Sequence, residues 1–485
     1  MSITSTMNNA LTGLTAVSRK ADVVSQNVAN AMTDGYARRQ VNLSSQTVGG
    51  NGAGVRVEGI SRNVNPVVLA DRRLADAESG NAGLKADFYS KLEDLLGTPE
   101  DPGSLSSRVA ALESTFVEAA SRPDSETRLQ NIVTAATNLT TKLNSVSKEI
   151  QQSRTDADQK IAQQVDQLNE YLHGVDRLNA EILSARSSGR DATGLMDERQ
   201  RMVDRIAEIV PIREVPRQND QISLFTTGGA ILLEGNPAEI GFTPSGVIDA
   251  AMTFGGGGIL SGVTINGLAV SPGDSGVLGG GTLGALFAVR DEIATDAQAQ
   301  LDAFARDLIG RFQSPATDPT LAPGDPGLFT DGFAAFDPLN EVGIARRINL
   351  NVLVDPANGG DLWKLRDGLN AVTQGSVGDA TQLNRLADAL TAPVVPASGS
   401  FVGAARTTSA LAADVLSQIS GGRQRAEQTE VYATARQDAL TALQMQDGVD
   451  TDQEMQTLLI VEQAYAANAR VLQTADELIQ TLIGL

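Results

Sequence analysis

The chain contains no cysteine, and it has only one histidine and one tryptophan among its 485 residues. Without cysteine, neither a disulfide scaffold nor a thiolate metal site can form. Aromatic residues make up 4% of the chain, which is typical of long-helix proteins in which alanine and leucine fill the core. The 59 acidic residues outnumber the 38 basic ones, giving a net charge of −21. Because no basic patch is evident, we expect no binding to nucleic acid or to an anionic membrane surface.

Long hydrophobic runs are also missing. No apolar stretch approaches the ~18 residues that a membrane-spanning helix needs, so we expect no membrane insertion. The N-terminus lacks a basic segment followed by an apolar core, so we expect no cleaved Sec signal peptide. The chain is therefore expected to be either cytoplasmic or exported by a route that does not use a Sec signal.

What the chain does have is strict periodicity at its two ends. Residues 1–30 and 454–485 each carry an apolar residue every three or four positions, which is typical of a coiled-coil seam. The predicted N-terminal seam consists of Ile3, Met7, Ala10, Leu14, Val17, Ala21, Val24 and Val28. The predicted C-terminal seam consists of Leu458, Val461, Tyr465, Asn468, Leu472, Ala475, Ile479 and Leu482. A polar residue such as Asn468 in a seam can fix register or partner number.

Between the ends, the pattern predicts a mainly α-helical, elongated, multidomain chain with a β insertion. A heptad stripe predicts one long helix over 124–186, interrupted only by a stutter between Ile150 and Ile161. A second helix, over 400–446, is expected to break near Gly421 and Gly422. Four domains are predicted. The terminal helices form an inner core (1–32 with 453–485), followed by an extended or β-hairpin connector (33–65) with a glycine-rich turn at 49–52. A mainly helical rod domain (66–212 with 283–452) includes loop and short strands at 314–360, and it encloses a β-rich outer insertion (213–282).

Three motifs that could have indicated chemistry favour structural interpretations instead. Gly279, Gly281 and Gly284 match the dinucleotide-binding fingerprint, but a polar turn stands where the fingerprint needs a buried strand. His173 has no catalytic or metal-binding partners in the pattern. The acidic run from Asp447 to Glu454 lacks the ligand order of a calcium loop and is expected to favour the N-terminus of the last helix. We therefore expect no cofactor, no metal site and no enzymatic activity.

The segment from Ser25 to Arg38 resembles a signature of bacterial flagellar axial proteins, which are the rod, hook and hook-associated proteins. The matching residues are Ser25, Asn27, Ala29, Asn30, Thr33, Gly35, Tyr36 and Arg38. The C-terminal segment from Glu454 to Leu482 resembles the same family. Gly194–Gln200 and Gly280–Glu292 resemble segments of its hook-associated members. In this signature, Gly35 is expected to turn the chain out of the helix with a positive φ.

The resemblance implies a structural subunit at the junction between hook and filament that self-assembles through its terminal helices. The implied partners are further copies of the chain, the hook protein, the next hook-associated junction protein, and an export chaperone at the C-terminal helix. The implied location is extracellular, after export through the flagellar type III apparatus. Two alternatives are another axial protein (hook or distal rod) and a secreted coiled-coil scaffold or adhesin. The terminal stripes alone also fit a coiled-coil hairpin that only stabilises one monomer.

Overall fold

The computed structural model describes residues 3–48, 51–255 and 257–484. The fold is mainly helical with a few small sheets, and the first and last helices pack against each other, as predicted. The helices are α1 (Ile3–Ala29), α2 (Pro66–Leu96), α3 (Leu105–Ser121), α4 (Glu126–Ser187), α5 (Thr193–Ile209), α6 (Thr282–Ala288), α7 (Ala294–Phe312), α8 (Ile344–Arg347), α9 (Lys364–Asp367), α10 (Thr381–Thr391), α11 (Thr408–Gln446) and α12 (Thr451–Ile483). Among the described residues, no helix is long and apolar enough to cross a membrane.

The strands form four small sheets within the described part of the chain. They are β1 (Arg39–Val48), β2 (Asn51–Arg62), β3 (Ile212–Pro216), β4 (Ile222–Thr226), β5 (Ile231–Glu234), β6 (Asn236–Pro237), β7 (Ile240–Gly241), β8 (Val263–Ile265), β9 (Leu268–Val270), β10 (Phe329–Asp331) and β11 (Ile348–Leu350). The sheets are β1-β2, β3-β4-β5-β6, β7-β8-β9 and β10-β11. The antiparallel pair β1 and β2 is called the connector hairpin below. Its glycine turn was predicted at 49–52, and residues 49 and 50 lie outside the described residues.

The long helix predicted over 124–186 is present as α4, an uninterrupted helix of 62 residues. Its heptad residues are buried on both sides of the stutter, including Leu143, Ile150, Ile161 and Leu168. The eleven-residue step keeps these residues on the buried face because eleven residues span just over three helical turns.

The predicted break in the helix over 400–446 was wrong. Helix α11 continues through Gly421 and Gly422 without a break. A Cβ at Gly422 would lie 2.5 Å from the ring of Tyr89, so this glycine permits close packing. Helices α6 and α7 are joined by a π-helical turn at Val289–Ile293.

The chain divides into two compact units, each with its own core. Unit 1 comprises residues 1–79, 166–240 and 433–485, and it contains α1, the connector hairpin, α5, the sheet β3–β6 and α12. Unit 2 comprises residues 80–165 and 241–432. In unit 2 the ring of Phe312 stacks on that of Phe116 and meets the ring of Phe329 edge to face, and the fully buried Arg290 pairs with Asp158 at 2.6 Å. Strands β3–β6 therefore belong to unit 1 and β8–β9 to unit 2, while the four-domain division given above stays a prediction.

Candidate assembly surface and connector anchor

Helices α1 and α12, called the terminal helix pair below, meet along a heptad seam on α12. Glu454, Val461 and Ala475 are buried there, and Asn468, Leu472 and Ile479 are half-buried. Three residues of the predicted C-terminal seam are instead exposed in this chain: Leu458 by 36%, Tyr465 by 53% and Leu482 by 61%. The described pair therefore covers only part of the apolar surface of α12.

Helix α1 uses two faces, whereas the sequence predicted one. On the predicted seam, Ala10 and Val24 are buried, Met7 and Val28 are exposed, and the half-buried members are Ile3, Leu14, Val17 and Ala21. A second stripe about 120° around the helix holds Thr12, Ala16, Val23 and Asn27. This stripe faces the connector hairpin, since the Thr12 hydroxyl accepts a hydrogen bond from the Val55 amide at 3.3 Å. Successive members of the second stripe are four, seven and four residues apart. This helical spacing was visible in the sequence but was not used to predict the stripe.

A close approach within the terminal helix pair involves Gly13 and Asn468. A Cβ at Gly13 would lie 2.9 Å from the Asn468 amide oxygen. The Asn468 amide nitrogen donates to the Ala464 carbonyl of its own helix at 2.9 Å. Asn468 therefore satisfies its donor within α12 and fits over the small residue on α1.

Asn27 fastens the end of α1 to the start of the connector hairpin. Its side-chain oxygen accepts hydrogen bonds from the Tyr36 hydroxyl at 2.8 Å and from the Arg39 amide at 3.0 Å. Its side-chain nitrogen donates to the Arg39 carbonyl at 3.0 Å. Burial raises the pKa of Tyr36, which keeps the phenol protonated as a donor. The polar groups of this buried side chain are thereby satisfied.

The other signature residues form the turn between α1 and β1. The Thr33 amide donates to the Asn30 carbonyl at 2.9 Å, and the Tyr36 amide donates to the Thr33 carbonyl at 3.1 Å. Gly35 has a φ of +74°, as the sequence predicted. Ser25, Ala29 and Thr33 are exposed in this chain. The structure thus brings Asn27, Tyr36 and Arg38 into hydrogen-bonded or ion-paired clusters. It leaves Ser25, Ala29 and Thr33 on the surface.

Replacing Gly35 with alanine is expected to destabilise unit 1 by about 2–3 kcal/mol, because an L-residue resists positive φ and the added Cβ would lie 2.5 Å from Arg201 Cγ. Thermal unfolding of the full chain measures this effect. Gly189→Ala is the matched control, since Gly189 has a φ of +69° with open space around it. We expect the control to cost about 1 kcal/mol, from the backbone alone. Equal losses in the two variants would show that contact with Arg201 contributes nothing.

Asp197 on α5 anchors the connector hairpin. Arg39 and Arg62 lie directly opposite each other in the hairpin register, where two like charges destabilise a strand pair. Asp197 forms an ion pair with each of them, with its carboxylate 2.7 Å from Arg62 Nε and 3.0 Å from Arg39 Nη2, and so reduces their mutual repulsion. It also accepts a hydrogen bond from the Ala37 amide at 3.3 Å. Burial lowers the pKa of Arg62, and the charge of Asp197 opposes that shift.

Sequence reasoning assigned Asp197 no individual role, although it lies within the family-like segment 194–200. The available signal was the pair of arginines at the two outer ends of a predicted hairpin. Two opposed guanidinium groups need a nearby carboxylate if they are to be buried. The hairpin register, which identifies the pair, was not fixed by the sequence pattern.

Arg38 joins the signature segment to the C-terminal helix. Its Nε lies 2.7 Å from the carboxylate of Glu454, whose side chain is only 3% exposed. The acidic run does lie at the N-terminus of α12, as predicted: Asp450 caps the helix, and its carboxylate accepts from the amides of Asp452 and Gln453. The ion pair of Glu454 with Arg38 was not predicted.

The remaining sequence candidates lie elsewhere. His173 is exposed on α4, with Nε2 3.2 Å from a carboxylate oxygen of Glu239. Gly279 and Gly281 precede α6 and Gly284 lies in its first turn, where an added Cβ would lie 3.2 Å from Gly279 Cα. The described residues contain no group of three or more side chains placed to hold a metal ion.

Comparison with known proteins places the chain in a family. Residues 89–327 match the family model described as flagellar hook-associated protein FlgK helical domain. Residues 446–485, which include α12, match the model described as flagellar basal body rod FlgEFG protein C-terminal. Flagellar hook-associated protein 1 of Bacillus subtilis is 22% identical to this chain, in a match covering 99% of this chain and 97% of that protein. The chain belongs to the flagellar hook-associated protein family.

Other members of the hook-associated family match over shorter stretches. Flagellar hook-associated protein 1 of Escherichia coli is 24% identical over 49% of this chain and 44% of its own length. The chain thus spans less than half of that relative. The solved structure of the flagellar hook junction protein FlgK from Burkholderia pseudomallei matches with a TM-score of 0.43 and 22% identity, covering 54% of this chain and 47% of that one.

Proposed function

We propose that this chain is a structural, non-enzymatic subunit at the junction between the flagellar hook and filament, and that it self-assembles through its terminal helix pair. Its relatives bear the name flagellar hook-associated protein 1. The match of 446–485 to a rod-protein C-terminal model supports an axial role for α12. The match of 89–327 to the hook-associated helical domain favours the junction over the alternative of a rod or hook subunit.

The observation that carries this proposal is the apolar surface of α12 that the described chain leaves in water. Two stripes flank the seam, one on each side at 100° per residue. Leu458 and Tyr465 form the first stripe, and the second consists of Ile460, Val471, Leu478 and Leu482. Contiguous exposed apolar surface of this kind is typical of a protein interaction site. Neighbouring copies around an axial tube would bury both stripes while the seam stays occupied by α1.

The proposed partners follow from the same surface. Further copies of the chain would cover the stripes laterally, and the hook protein and the next hook-associated junction protein would contact the assembled ring. An export chaperone bound to α12 would shield the stripes before assembly. The proposed location is extracellular, on the flagellum, after export through the flagellar type III apparatus.

The test is a variant with one charge in each stripe, Tyr465→Glu with Leu478→Glu. Both residues are exposed, so the free energy of unfolding of the free chain should change by no more than about 0.5 kcal/mol per substitution. Incorporation at the hook tip should be lost, because a buried unpaired carboxylate is costly. Immunolabelling of purified hook–basal bodies and swimming assays measure incorporation and motility.

The matched control places the same charges on exposed polar positions of α12, as Gln463→Glu with Gln473→Glu. This control should incorporate more fully than the stripe variant. Normal incorporation of the stripe variant would contradict the proposal that these stripes form subunit contacts.

A further inference from the structure

A cavity of about 190 Å³ lies in unit 1, where the connector hairpin, α2, α5 and the sheet β3–β6 meet. Part of its wall is apolar, formed by Leu69, Met196, Val203 and Ile222 among others. The rest includes three arginines, namely Arg62, Arg73 and Arg199. In a chain of net charge −21, a cavity lined by three guanidinium groups stands out.

The carboxylates around the cavity do not fully satisfy these arginines. Arg73 is 3% exposed and bonds Asp204 through Nε and Glu214 through Nη1, both at 2.6 Å. Its Nη2 is buried and has no hydrogen-bond partner among the described residues. A buried donor without a partner costs about 1–3 kcal/mol, and more in a charged group. The Arg73 guanidinium is therefore placed to bond a further acceptor.

Arg199 is buried without a counter-ion. It is 8% exposed, and its Nη1 donates to the Asn179 side-chain oxygen at 2.8 Å and to the Asp220 carbonyl at 2.6 Å. No carboxylate in the described part of the chain forms a salt bridge with it. Burial lowers the pKa of Arg199, although arginine stays protonated in proteins. A buried cation of this kind is ordinarily paired.

We propose that this cavity binds an aliphatic carboxylate, either a free small acid or a glutamate side chain of another polypeptide. Guanidinium groups match the planar geometry of a carboxylate and bind it through paired hydrogen bonds. The apolar wall suits a short methylene stem, which an inorganic phosphate or sulfate would not fill. The volume corresponds to about six water molecules in the liquid, which admits such a side chain and excludes a nucleotide.

The cavity also contacts the anchor of the connector hairpin. Arg62 lines the cavity, bonds Asp197, and donates from Nη2 to the Gln200 side-chain oxygen at 2.6 Å. A bound carboxylate would add a further negative charge beside Arg62, which already interacts with Asp197 and with Glu214, a carboxylate that also lines the cavity. Occupancy should therefore stabilise the attachment of the hairpin, independently of any contact made by α12.

The test titrates the whole chain with glutarate and, separately, with the α-amide of N-acetylglutamate, whose side-chain carboxylate is free. Sodium chloride at equal ionic strength serves as the control titration. The ¹³C-methyl signal of Met196, which lines the cavity, reports local binding, and that of the exposed Met455 serves as the reference. We expect a saturable shift at Met196 only, with a rise in Tm. Arg199→Gln should weaken binding at least tenfold, and Arg199→Lys, which keeps the charge, should weaken it less. Arg205→Gln, exposed on the same helix, should bind like the unmodified chain.

Binding of the amide shows that a glutamate side chain on a polypeptide can enter, and binding of glutarate alone assigns the site to a free acid. The absence of a saturable Met196 shift with either compound would overturn the proposal. So would equal binding by the unmodified chain, Arg199→Gln and Arg199→Lys. These results are distinguishable from failure of the assembly proposal, because none of them involves the stripes on α12.

Discussion

Removal of residues 458–485 is expected to leave the rest of the chain folded and to abolish its incorporation at the hook tip. The truncation retains the Asp450 cap and the ion pair between Arg38 and Glu454. Among the described residues, it removes two buried side chains, Val461 and Ala475, together with both exposed apolar stripes. Circular dichroism and thermal unfolding measure folding, while electron microscopy of labelled hook–basal bodies measures incorporation.

A longer truncation, of residues 453–485, is the informative comparison. It also removes Glu454 and leaves the guanidinium of Arg38 without its partner, so unit 1 should lose about 1–3 kcal/mol relative to the shorter truncation. Both truncated chains should fail to assemble. Filaments of normal number and length built with the shorter chain would exclude α12 as the assembly element.

Replacing Asp197 with alanine is expected to destabilise unit 1 by about 3–5 kcal/mol, because it leaves two opposed, mostly buried arginines without a counter-charge. The loss should concentrate in the connector hairpin. Urea unfolding measures the free energy, and hydrogen exchange of residues 39–62 should show faster exchange in the variant. The backbone amides in β1 and β2 report directly on detachment of the connector hairpin from α5.

Two further variants sharpen this result. Asp197→Asn keeps an oxygen that can accept from the Ala37 amide but removes the charge, so its loss should be intermediate. Glu198→Ala, the next residue on α5, should change stability by about 0.5 kcal/mol or less. An Asp197→Ala chain as stable as the unmodified one would contradict the role of Asp197 as the hairpin anchor.

The sequence predicted those features of the fold that depend on residue spacing or on the backbone freedom of a single residue. The course of α4, the positive φ of Gly35 and the pairing of the two terminal helices all follow from residue spacing or backbone freedom. Gly421 and Gly422 show the limit of this reasoning. Their low helix propensity favoured a break, but the packing of Gly422 against Tyr89 outweighed it.

The candidate site was predictable only in part, because its partners are distant in sequence. The signature identified Asn27, Tyr36 and Arg38, whereas Asp197 and Glu454 acquire their roles from contacts 158 and 416 residues away. The predicted C-terminal seam also did not distinguish the apolar residues that α1 covers from those that stay exposed. A 3-4 pattern marks apolar positions on a helix, and α12 has enough of them to supply a seam and two flanking stripes. Periodicity alone does not say which of these a helix in the same chain will cover.

The terminal helix pair also has a consequence for the order of folding. Residues 30–450 separate α1 from α12, so the pair closes a loop that includes almost the whole chain. Contacts of such high sequence separation form slowly, after local structure is in place. In a chain that emerges from its N-terminus, α1 appears long before its partner α12. The Gly13 and Asn468 contact is therefore among the final native interactions to form, and until then α1 is available to pair with another molecule.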